Sequence, residues 1–352
     1  MMNTDDFSRA EPPVVLRRAR MSEIAKLAGV GIATVDRVLN NRQNVREETR
    51  QWVLQAKAAI ETGATPGERS RPWRLKVFLP GEAGPSTEYL AACFQEEGKR
   101  GNAIIECVFT KKMEPAVLAR KLRACSGQGI DAVAFQALED PRVRHAVEDL
   151  KALNIACLAL LSPLECPDII GYAGVDNRAA GRTAGLLMGR MLPHPGKVAV
   201  LTGGQLYRAH EDREMGFRAA IRGDYRHLEV IGAVSGMDDI EGNRQEVLAL
   251  LEAHPDVIGI YNVGGGNEGV VRALQEAGAT GEITVIGHNL TPKAQGYLLE
   301  GSMDIVLHQN MRRAAREAVA VLVAHLEHRA RRPSMLGVEI ITRENTQGAD
   351  FG

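Results

Sequence analysis

From Leu75 onward, short apolar runs alternate with stretches of helical periodicity. Nine runs are predicted as strands: "LKVFLP", "AIIECVFT", "IDAVAFQA", "IACLALL", "KVAVLTG", "LEVIGAVS", "VIGIYNV", "ITVIGHN" and "DIVLHQN". Segments such as "PAVLARKLRAC" and "RQEVLALLEAH" separate most of them and predict helices. This alternation indicates parallel sheets covered by helices on both faces. Nine strands are many for one sheet, so we expect an α/β body of two doubly wound lobes, with a ligand cleft beyond the carboxyl ends of the strands.

The preceding residues have a different texture. Residues 1–20 are polar and contain a Pro pair, which predicts a flexible tail. Residues 21–62 show helical patterns only, and residues 63–74 mix Gly, Pro and Arg as linkers do. We therefore expect a small all-α head at 21–62, a linker at 63–74 and a two-lobed body at 75–346.

Charge is distributed unevenly between head and body. The 352 residues have a formal net charge of −1, yet residues 1–76 carry fourteen Lys and Arg against nine Asp and Glu. The remaining residues carry 29 basic against 35 acidic side chains. A basic head on an acidic body suggests a small polyanion-binding module attached to a separate domain.

The cysteines and the apolar runs indicate the cellular compartment. Five cysteines are an odd number, and none lies in a C-x-x-C pair: Cys93, Cys107, Cys125, Cys157 and Cys166. This usage favours reduced thiols in a cytosol over a disulfide framework or a zinc site. No run approaches the roughly 18 apolar residues of a membrane span, and the N-terminus lacks a secretory signal. We expect a cytoplasmic protein without a membrane partner.

The head contains two short helical patterns joined by "GVG". Ser22 is predicted as the N-cap of the first helix, and Gly29 permits the positive φ of a tight turn after it. Gly31 is predicted to cap a second helix over 32–39 that buries Val35, Val38 and Leu39. Two short helices with such a turn form a helix-turn-helix, whose second helix reads the major groove of DNA. A helical bundle without a ligand is the alternative.

The segment "SEIAKLAGVGIATVDRVLNNRQNVREETRQWVLQAKAAIETG" resembles the DNA-binding head of LacI-family transcriptional repressors. Their pattern is D-V-A-x-x-A-G-V-S-x-x-T-V-S-R-V-L-N, followed by V-x-x-x-T-R-x-x-V. In the body, "GVDNRAAGRTAG", "VIGHNLTP" and "VLHQN" are similar to segments of the family's periplasmic-binding-protein-like domain. The resemblance implies double-stranded operator DNA and a small effector as partners, and a homodimer.

The resemblance implies DNA-binding roles for six residues. Ile32, Ala33 and Arg37 occupy base-reading positions, and Thr34 and Asn40 occupy phosphate-contacting positions. Asp36 and Gly31 stand where the family usually has Ser; Asp36 would either orient Arg37 or accept from a cytosine amino group. The family's hinge-helix motif, Y-x-P-N-x-x-A-R-x-L, is missing from the linker, so we expect no hinge helix of that kind.

Strand ends and the resemblance together predict the effector site. Arg213 matches a family arginine that binds effector hydroxyls or carboxylates, and Asp176 matches an acid at a helix start, where a cap is the alternative role. The other candidates are polar residues mostly at strand ends: Asn262, His288, Asn289, Gln309, Gln136 and Glu88. An Asp, an Arg and several amides suit a sugar, polyol or sugar acid, because they form directional hydrogen bonds.

Two other functions remain open at this stage. Gly264-x-Gly266-x-x-Gly269 after a strand matches a dinucleotide fingerprint, which would suit a nucleotide-dependent enzyme, although a packing loop is the favoured interpretation. A solute-binding protein without DNA function is the other. No H-E-x-x-H or G-x-S-x-G occurs, so we expect no enzyme, cofactor or metal. The sequence favours an effector-responsive DNA-binding regulator, with repression its expected mode.

Overall fold

The structure, a computed structural model, divides the chain by its internal contacts into two units, Met1–Pro72 and Trp73–Gly352. It describes residues 19–40, 42, 45–61, 71–81, 84–111, 114–202, 207–235, 239–327, 329, 331, 333–349 and 351. The two units are the head and the body, and each is described by itself. Most of the predicted tail and linker lies outside the described residues.

Three helices form the head: α1 (Met21–Ala28), α2 (Ile32–Leu39) and α3 (Glu47–Glu61). Their shared core holds Ile24, Ala25, Ala28, Val35, Val38, Val53 and Ala56. Apolar residues spaced three to four apart give each helix one inward stripe, so three short helices can bury a common core. The predicted all-α head with two short helices at its start is confirmed.

The turn between α1 and α2 also has the predicted form. Gly29 adopts φ 63°, the left-handed conformation that ends a helix, and Gly31 is the N-cap of α2. The predicted N-cap at Ser22 is wrong, because α1 begins at Met21 and its N-cap is Arg20, two residues earlier. The backbone N–H of Arg20 donates to the Glu23 carboxylate at 3.0 Å. Ala19 packs against the head core, so the tail predicted for 1–20 ends too late.

The first lobe of the body is a five-stranded parallel sheet. Its strands have the order β2-β1-β3-β4-β5. They are β1 (Trp73–Gly81), β2 (Ala103–Lys111), β3 (Ala132–Phe135), β4 (Ala156–Leu160) and β5 (Gly171–Ala173), with helices α4 (Pro85–Arg100), α5 (Pro115–Arg123) and α6 (Pro141–Ala152) between them. Strands β3 and β4 are buried throughout, as expected for parallel strands covered on both faces.

The second lobe is a six-stranded sheet of order β11-β10-β9-β8-β6-β7. Its strands are β6 (Gly196–Thr202), β7 (Leu228–Ser235), β8 (Val257–Asn262), β9 (Thr284–His288), β10 (Ile305–His308) and β11 (Glu339–Ile341). Its helices are α7 (Asn177–Met191), α8 (Arg208–Asp224), α9 (Ile240–Ala253), α10 (Asn267–Glu276) and α11 (Pro292–Glu300). All pairs are parallel except β10 with β11.

The chain passes between the lobes three times. It leaves the first lobe after β5, and returns after β10 as α12 (Met311–Leu326), which packs into the first-lobe core beside Leu75 and Leu158. It then crosses back to β11 in the second lobe. Because parallel strands of each sheet end on one side, these passages bring distant strand ends together.

Several predicted boundaries need correction. Trp73 and Arg74, assigned to the linker, lie in β1. The body extends beyond 346, because Ala349 and Phe351 pack against the second-lobe core. Strands β5 and β11 were not predicted. No helix among the described residues is long and apolar enough to cross a membrane.

Candidate DNA-binding and effector-binding sites

The outward face of α2 carries the predicted DNA-binding residues. Ile32, a large apolar side chain, is 53% exposed, and Ala33, Arg37 and Asn40 are exposed as well. Thr34 is half-buried. A helix brings residues at i, i+1, i+4, i+5 and i+8 to one face, so this face is continuous. Exposed Ile32 has no role in the head core and can meet a thymine methyl group.

Asp36 also lies on this face, but its contacts differ from those predicted. Its Oδ1 accepts from Nδ2 of Asn40 at 2.7 Å, and its Oδ2 lies 3.2 Å from Nη1 of Arg42. The expectation that Asp36 orients Arg37 is wrong in this structure. Neighbours in sequence point about 100° apart on a helix, whereas i+4 neighbours meet.

The Arg213 side chain lies at the passage between the lobes and is 5% exposed. Its Nε donates to Oδ1 of Asn177 at 2.8 Å, and its Nη1 donates to the Val263 carbonyl at 2.7 Å. Asn177 begins α7, directly after the first passage, and Val263 follows β8. The guanidinium is therefore held at the carboxyl end of a parallel strand, where ligands bind in such folds.

Asn177 was not among the predicted site residues, yet it connects Arg213 to the first lobe. Its Nδ2 lies 3.2 Å from the Tyr172 hydroxyl, and that hydroxyl lies 3.0 Å from the Leu161 carbonyl. Burial raises the pKa of Tyr172, which keeps the hydroxyl protonated as a donor. Leu161 has a positive φ of 58°, a strained conformation for a branched side chain that occurs at ligand sites.

His288 lies near the Arg213 charge, and Asn262 directly precedes Val263, whose carbonyl accepts from Arg213, but both side chains make other internal contacts. Nε2 of His288 is 2.8 Å from the Tyr261 hydroxyl, and burial followed by the Arg213 charge holds the pKa of His288 well below its usual value. Asn262 donates to the Gly265 carbonyl at 2.8 Å and to Oδ1 of Asn267 at 2.7 Å. His288, which is neutral, and Asn262 thus fix the local structure at the carboxyl ends of β9 and β8.

Asp176 and Gln309 sit at two of the passages. Asp176 is exposed and accepts from the Ala179 N–H at 2.8 Å, so it caps α7 as in the alternative considered above. Oε1 of buried Gln309 accepts from the Val175 N–H at 3.2 Å, which joins the first and second passages. Asn289 is half-buried with a positive φ of 64°.

The two remaining candidates for the effector site, Gln136 and Glu88, lie in the first lobe. Gln136 is half-buried just after β3, and Glu88 is exposed in the first turn of α4. Neither side chain makes a hydrogen bond to Arg213 or Asn177 in the described part of the chain. The structure thus joins Arg213 and Asn177 by a hydrogen bond and places His288 within the electrostatic influence of Arg213, whereas Gln136 and Glu88 have no such contact among the described residues.

Direct contacts also join the lobes beside Arg213. The hydroxyl of Ser162 accepts from the Ala209 N–H at 3.3 Å, and Nη2 of Arg208 lies 2.7 Å from Oε1 of Glu165. Asp212, one turn after Arg208 and 3.9 Å from its Nε, is half-buried. Burial raises the pKa of Asp212 despite the nearby Arg208 and Arg178. Asp212 was not among the predicted site residues, although its position directly before Arg213 in the sequence could have identified it.

The glycine-rich loop is held by side-chain amides. Nδ2 of Asn243 donates to the carbonyls of Gly265 and Gly266 at 3.0 and 3.1 Å. A Cβ on Gly269 would lie 2.0 Å from the Ile240 carbonyl oxygen. A phosphate cradle needs backbone N–H groups that point to a ligand. The N–H of Gly264 instead donates to Oδ1 of Asn262 at 3.4 Å and that of Gly269 to the Gly266 carbonyl at 2.9 Å, which favours the packing interpretation.

One surface pocket of about 440 Å³ lies between α8 and β7 of the second lobe. Its lining residues are Arg218, Ile221, Arg222, Arg226, Leu228 and Val230. None is a predicted effector residue, so this pocket is separate from the candidate site. Among the described residues, no three His, Cys, Asp or Glu side chains form a group suited to a metal ion.

Two family models match the chain. Residues 20–61 match the model of bacterial regulatory proteins of the lacI family, and residues 88–330 match a periplasmic binding protein domain. The matches correspond to the head and to most of the body. They confirm the predicted family and fold class.

Curated relatives are transcriptional regulators. The HTH-type transcriptional regulator AglR of Rhizobium meliloti is 27% identical over 285 residues, which are 76% of this chain and 77% of that protein. The ribose operon repressor of Halalkalibacterium halodurans is 25% identical over 248 residues, 68% of this chain and 70% of that protein.

Solved structures of solute-binding proteins share the fold of the body. GanP, a glucose-galactose binding protein from Geobacillus stearothermophilus, has a TM-score of 0.73 at 17% identity and covers 79% of this chain and 99% of its own. A solute-binding protein from Burkholderia graminis in complex with D-arabinose has a TM-score of 0.74 at 20% identity, with coverage of 79% and 98%. At these identities the likeness concerns the fold.

Proposed function

Because this chain belongs to the LacI family of bacterial regulatory proteins, with a periplasmic binding protein domain as its body, we propose that it is a repressor whose cleft binds a sugar or sugar derivative. Family membership makes the chain a DNA-binding transcriptional regulator. The proposal adds the mode of regulation, the class of effector and the residues that bind each partner.

The observation that carries the proposal is buried Arg213 beside the passages between the lobes. Its guanidinium is held by Asn177 and Val263, so it is fixed in place before a ligand arrives. A fixed guanidinium suits vicinal hydroxyls or a carboxylate, because it offers planar, directional donors. The printed names of the relatives, a ribose operon repressor and glucose-galactose and arabinose binders, support a sugar.

In the proposed mechanism, effector binding shifts the relative orientation of the two lobes. Each lobe contributes to the contacts around Arg213, so a ligand there favours one arrangement over another. In a homodimer, this would change the spacing of two heads on a pseudo-palindromic operator. The homodimer and the cytoplasmic location are parts of the proposal, supported by the family and by the need to reach chromosomal DNA.

The two alternatives have less support. A solute-binding protein without DNA function would leave unexplained the head and its exposed Ile32 and Arg37. A nucleotide-dependent enzyme would use N–H groups of the glycine loop, but those of Gly264 and Gly269 donate to Asn262 and Gly266. The curated relatives are regulators, and we propose that this chain has no enzymatic activity.

Selection from a pool of random 30-base-pair duplexes with the full-length protein tests the proposal. We expect the recovered duplexes to share a pseudo-palindromic sequence, and D-ribose, D-arabinose, D-glucose, D-galactose or a related polyol or sugar acid to weaken binding. Light scattering should give twice the mass of one chain. Absence of any enriched sequence would contradict a specific repressor.

A further inference from the structure

Two hydrogen bonds hold the backbone of Arg42 in place. The N–H of Arg42 donates to the Arg37 carbonyl at 2.8 Å, five residues back, as in a Schellman-type helix ending. Nη2 of Arg50, on α3, donates to the Arg42 carbonyl at 3.4 Å. Arg42 therefore occupies a defined position just beyond the carboxyl end of the DNA-reading helix, although it lies outside any helix.

The Arg42 side chain is held as well. Its Nη1 lies 3.2 Å from Oδ2 of Asp36, whose Oδ1 already accepts from Asn40. Both carboxylate oxygens of Asp36 are thus engaged within the head. Two partners within the head thus orient the Asp36 carboxylate, which favours a role in holding Arg42 over direct reading of a base.

The pairing of Asp36 with Arg42 also changes the charge of the DNA-facing side of α2. An isolated carboxylate on the DNA-facing side of α2 would repel phosphate groups. Paired with Arg42, it is neutralised. The Arg42 side chain stays 64% exposed, and within the described residues Asp36 is its one side-chain partner. A guanidinium has five N–H groups, so Arg42 can keep Asp36 and still donate to a phosphate oxygen.

We propose that Arg42 contacts a phosphate of the DNA backbone and that Asp36 is a positioning residue for it. The inference rests on the proposed use of α2 as the DNA-reading helix. Base edges are met by residues near the amino end of such a helix, and contacts flanking them fix its register on the backbone. Arg42, at the opposite end, extends the contact surface along one strand.

The salt dependence of binding tests Arg42. Full-length wild type, Arg42→Ala and Arg42→Lys would be titrated with a selected 30-base-pair duplex and with its shuffled sequence at 50 to 200 mM KCl. One lost phosphate contact reduces the slope of log K against log[salt] by about 0.9, or roughly eightfold in affinity at 0.1 M salt. We expect this for Arg42→Ala on both duplexes, and a slope near wild type for Arg42→Lys.

A double-mutant cycle tests the role of Asp36. The effect of Arg42→Ala on the slope should be clearly smaller in an Asp36→Asn background, because Arg42 is then no longer held. Lys57→Ala, which removes a basic residue of α3 paired with Glu61, is the matched control and should leave the slope unchanged. Thermal unfolding would show that each variant is folded.

Four results would overturn the inference. An unchanged slope in Arg42→Ala would remove Arg42 from the interface. An equal effect of Arg42→Ala in both backgrounds, or a changed base preference in Asp36→Asn, would show that Asp36 does not act by positioning Arg42. Failure of wild type to bind either duplex would instead overturn the proposed function itself, together with this inference.

Discussion

Nε of Arg213 donates to Oδ1 of Asn177 at 2.8 Å, and both side chains are buried. The bond joins the second turn of α8 to the first residue of α7. Through Tyr172, Asn177 also reaches Leu161 of the first lobe. The proposed effector-binding side chain is therefore linked by hydrogen bonds to both lobes.

Arg213→Ala should abolish the effector response and leave DNA binding intact. The substitution also leaves the Asn177 amide oxygen and the Val263 carbonyl without this donor, which costs about 1–3 kcal/mol of stability. Thermal shifts with the sugar panel and titration of the selected duplex would measure both effects. Arg218→Ala on the same helix is the control and should respond as wild type. A normal response in Arg213→Ala would exclude it from the site.

Arg37→Ala should weaken operator binding by about 1–3 kcal/mol and relax preference at one base position, because a bidentate contact with guanine is lost. Selection from the random duplex pool, repeated with the variant, measures both. The same selection with the control variant Lys57→Ala should recover the DNA sequence that wild type selects. If Arg37→Ala binds the operator as tightly as wild type, α2 is not the reading helix.

Gly181→Ala should strongly destabilise the body, because its Cβ would lie 1.9 Å from the Arg213 carbonyl oxygen. The close approach of α7 and α8 requires a hydrogen at this position, so the helices would separate and shift Arg213. Gly223→Ala on α8 meets nothing within 4 Å and should gain about 0.5–1 kcal/mol. Urea unfolding would compare the stabilities of the two variants. Equal urea midpoints for Gly181→Ala and Gly223→Ala would contradict this packing argument.

His288 should make the free energy of unfolding of the body decrease as the pH falls. Its pKa is held well below the usual value in the folded body, mainly by burial, so the folded state binds fewer protons than the unfolded state below pH about 6.5. Stability from this residue is present above that pH and decreases as the pH falls toward the lowered pKa, by at most about 1.4 kcal/mol per pH unit.

The measurement is urea unfolding at pH 7, 6 and 5. His288→Gln should show a shallower loss of stability over this range than wild type, whatever its stability at pH 7. His194→Gln, at an exposed position, is the control and should follow the wild-type slope. An identical slope in His288→Gln would mean that His288 does not titrate differently on unfolding.

Periodicity was sufficient to predict most of the fold. Nine strands and the turn at Gly29 were found from apolar runs and one glycine, because these signals are local. Strands β5 and β11 have three residues each and pair only with distant segments, so no local pattern marks them. The start of α1 was misplaced because Glu23 accepts from a backbone N–H, which a search for Ser, Thr, Asp or Asn caps does not detect.

The candidate sites were predictable to a smaller extent. The outward residues of α2 follow from its apolar periodicity, whereas their roles and that of Arg213 come from the resemblance and stay predictions. Asn177 was overlooked beside Asp176, because only the fold shows that the amide faces Arg213 while the acid caps α7. Arg42 was overlooked for a similar reason: its link to Asp36 depends on how the chain turns after Asn40.

The order in which the body can fold is limited by α12. All strands of the first lobe have been synthesised once Ala173 is added, yet Met311, Ala314, Ala318 and Leu322 fill the same core. That core stays incomplete until α12 is synthesised, whereas the head has its whole core by Glu61. A nascent chain stalled before Met311 would therefore expose a DNA-binding head that no effector yet controls.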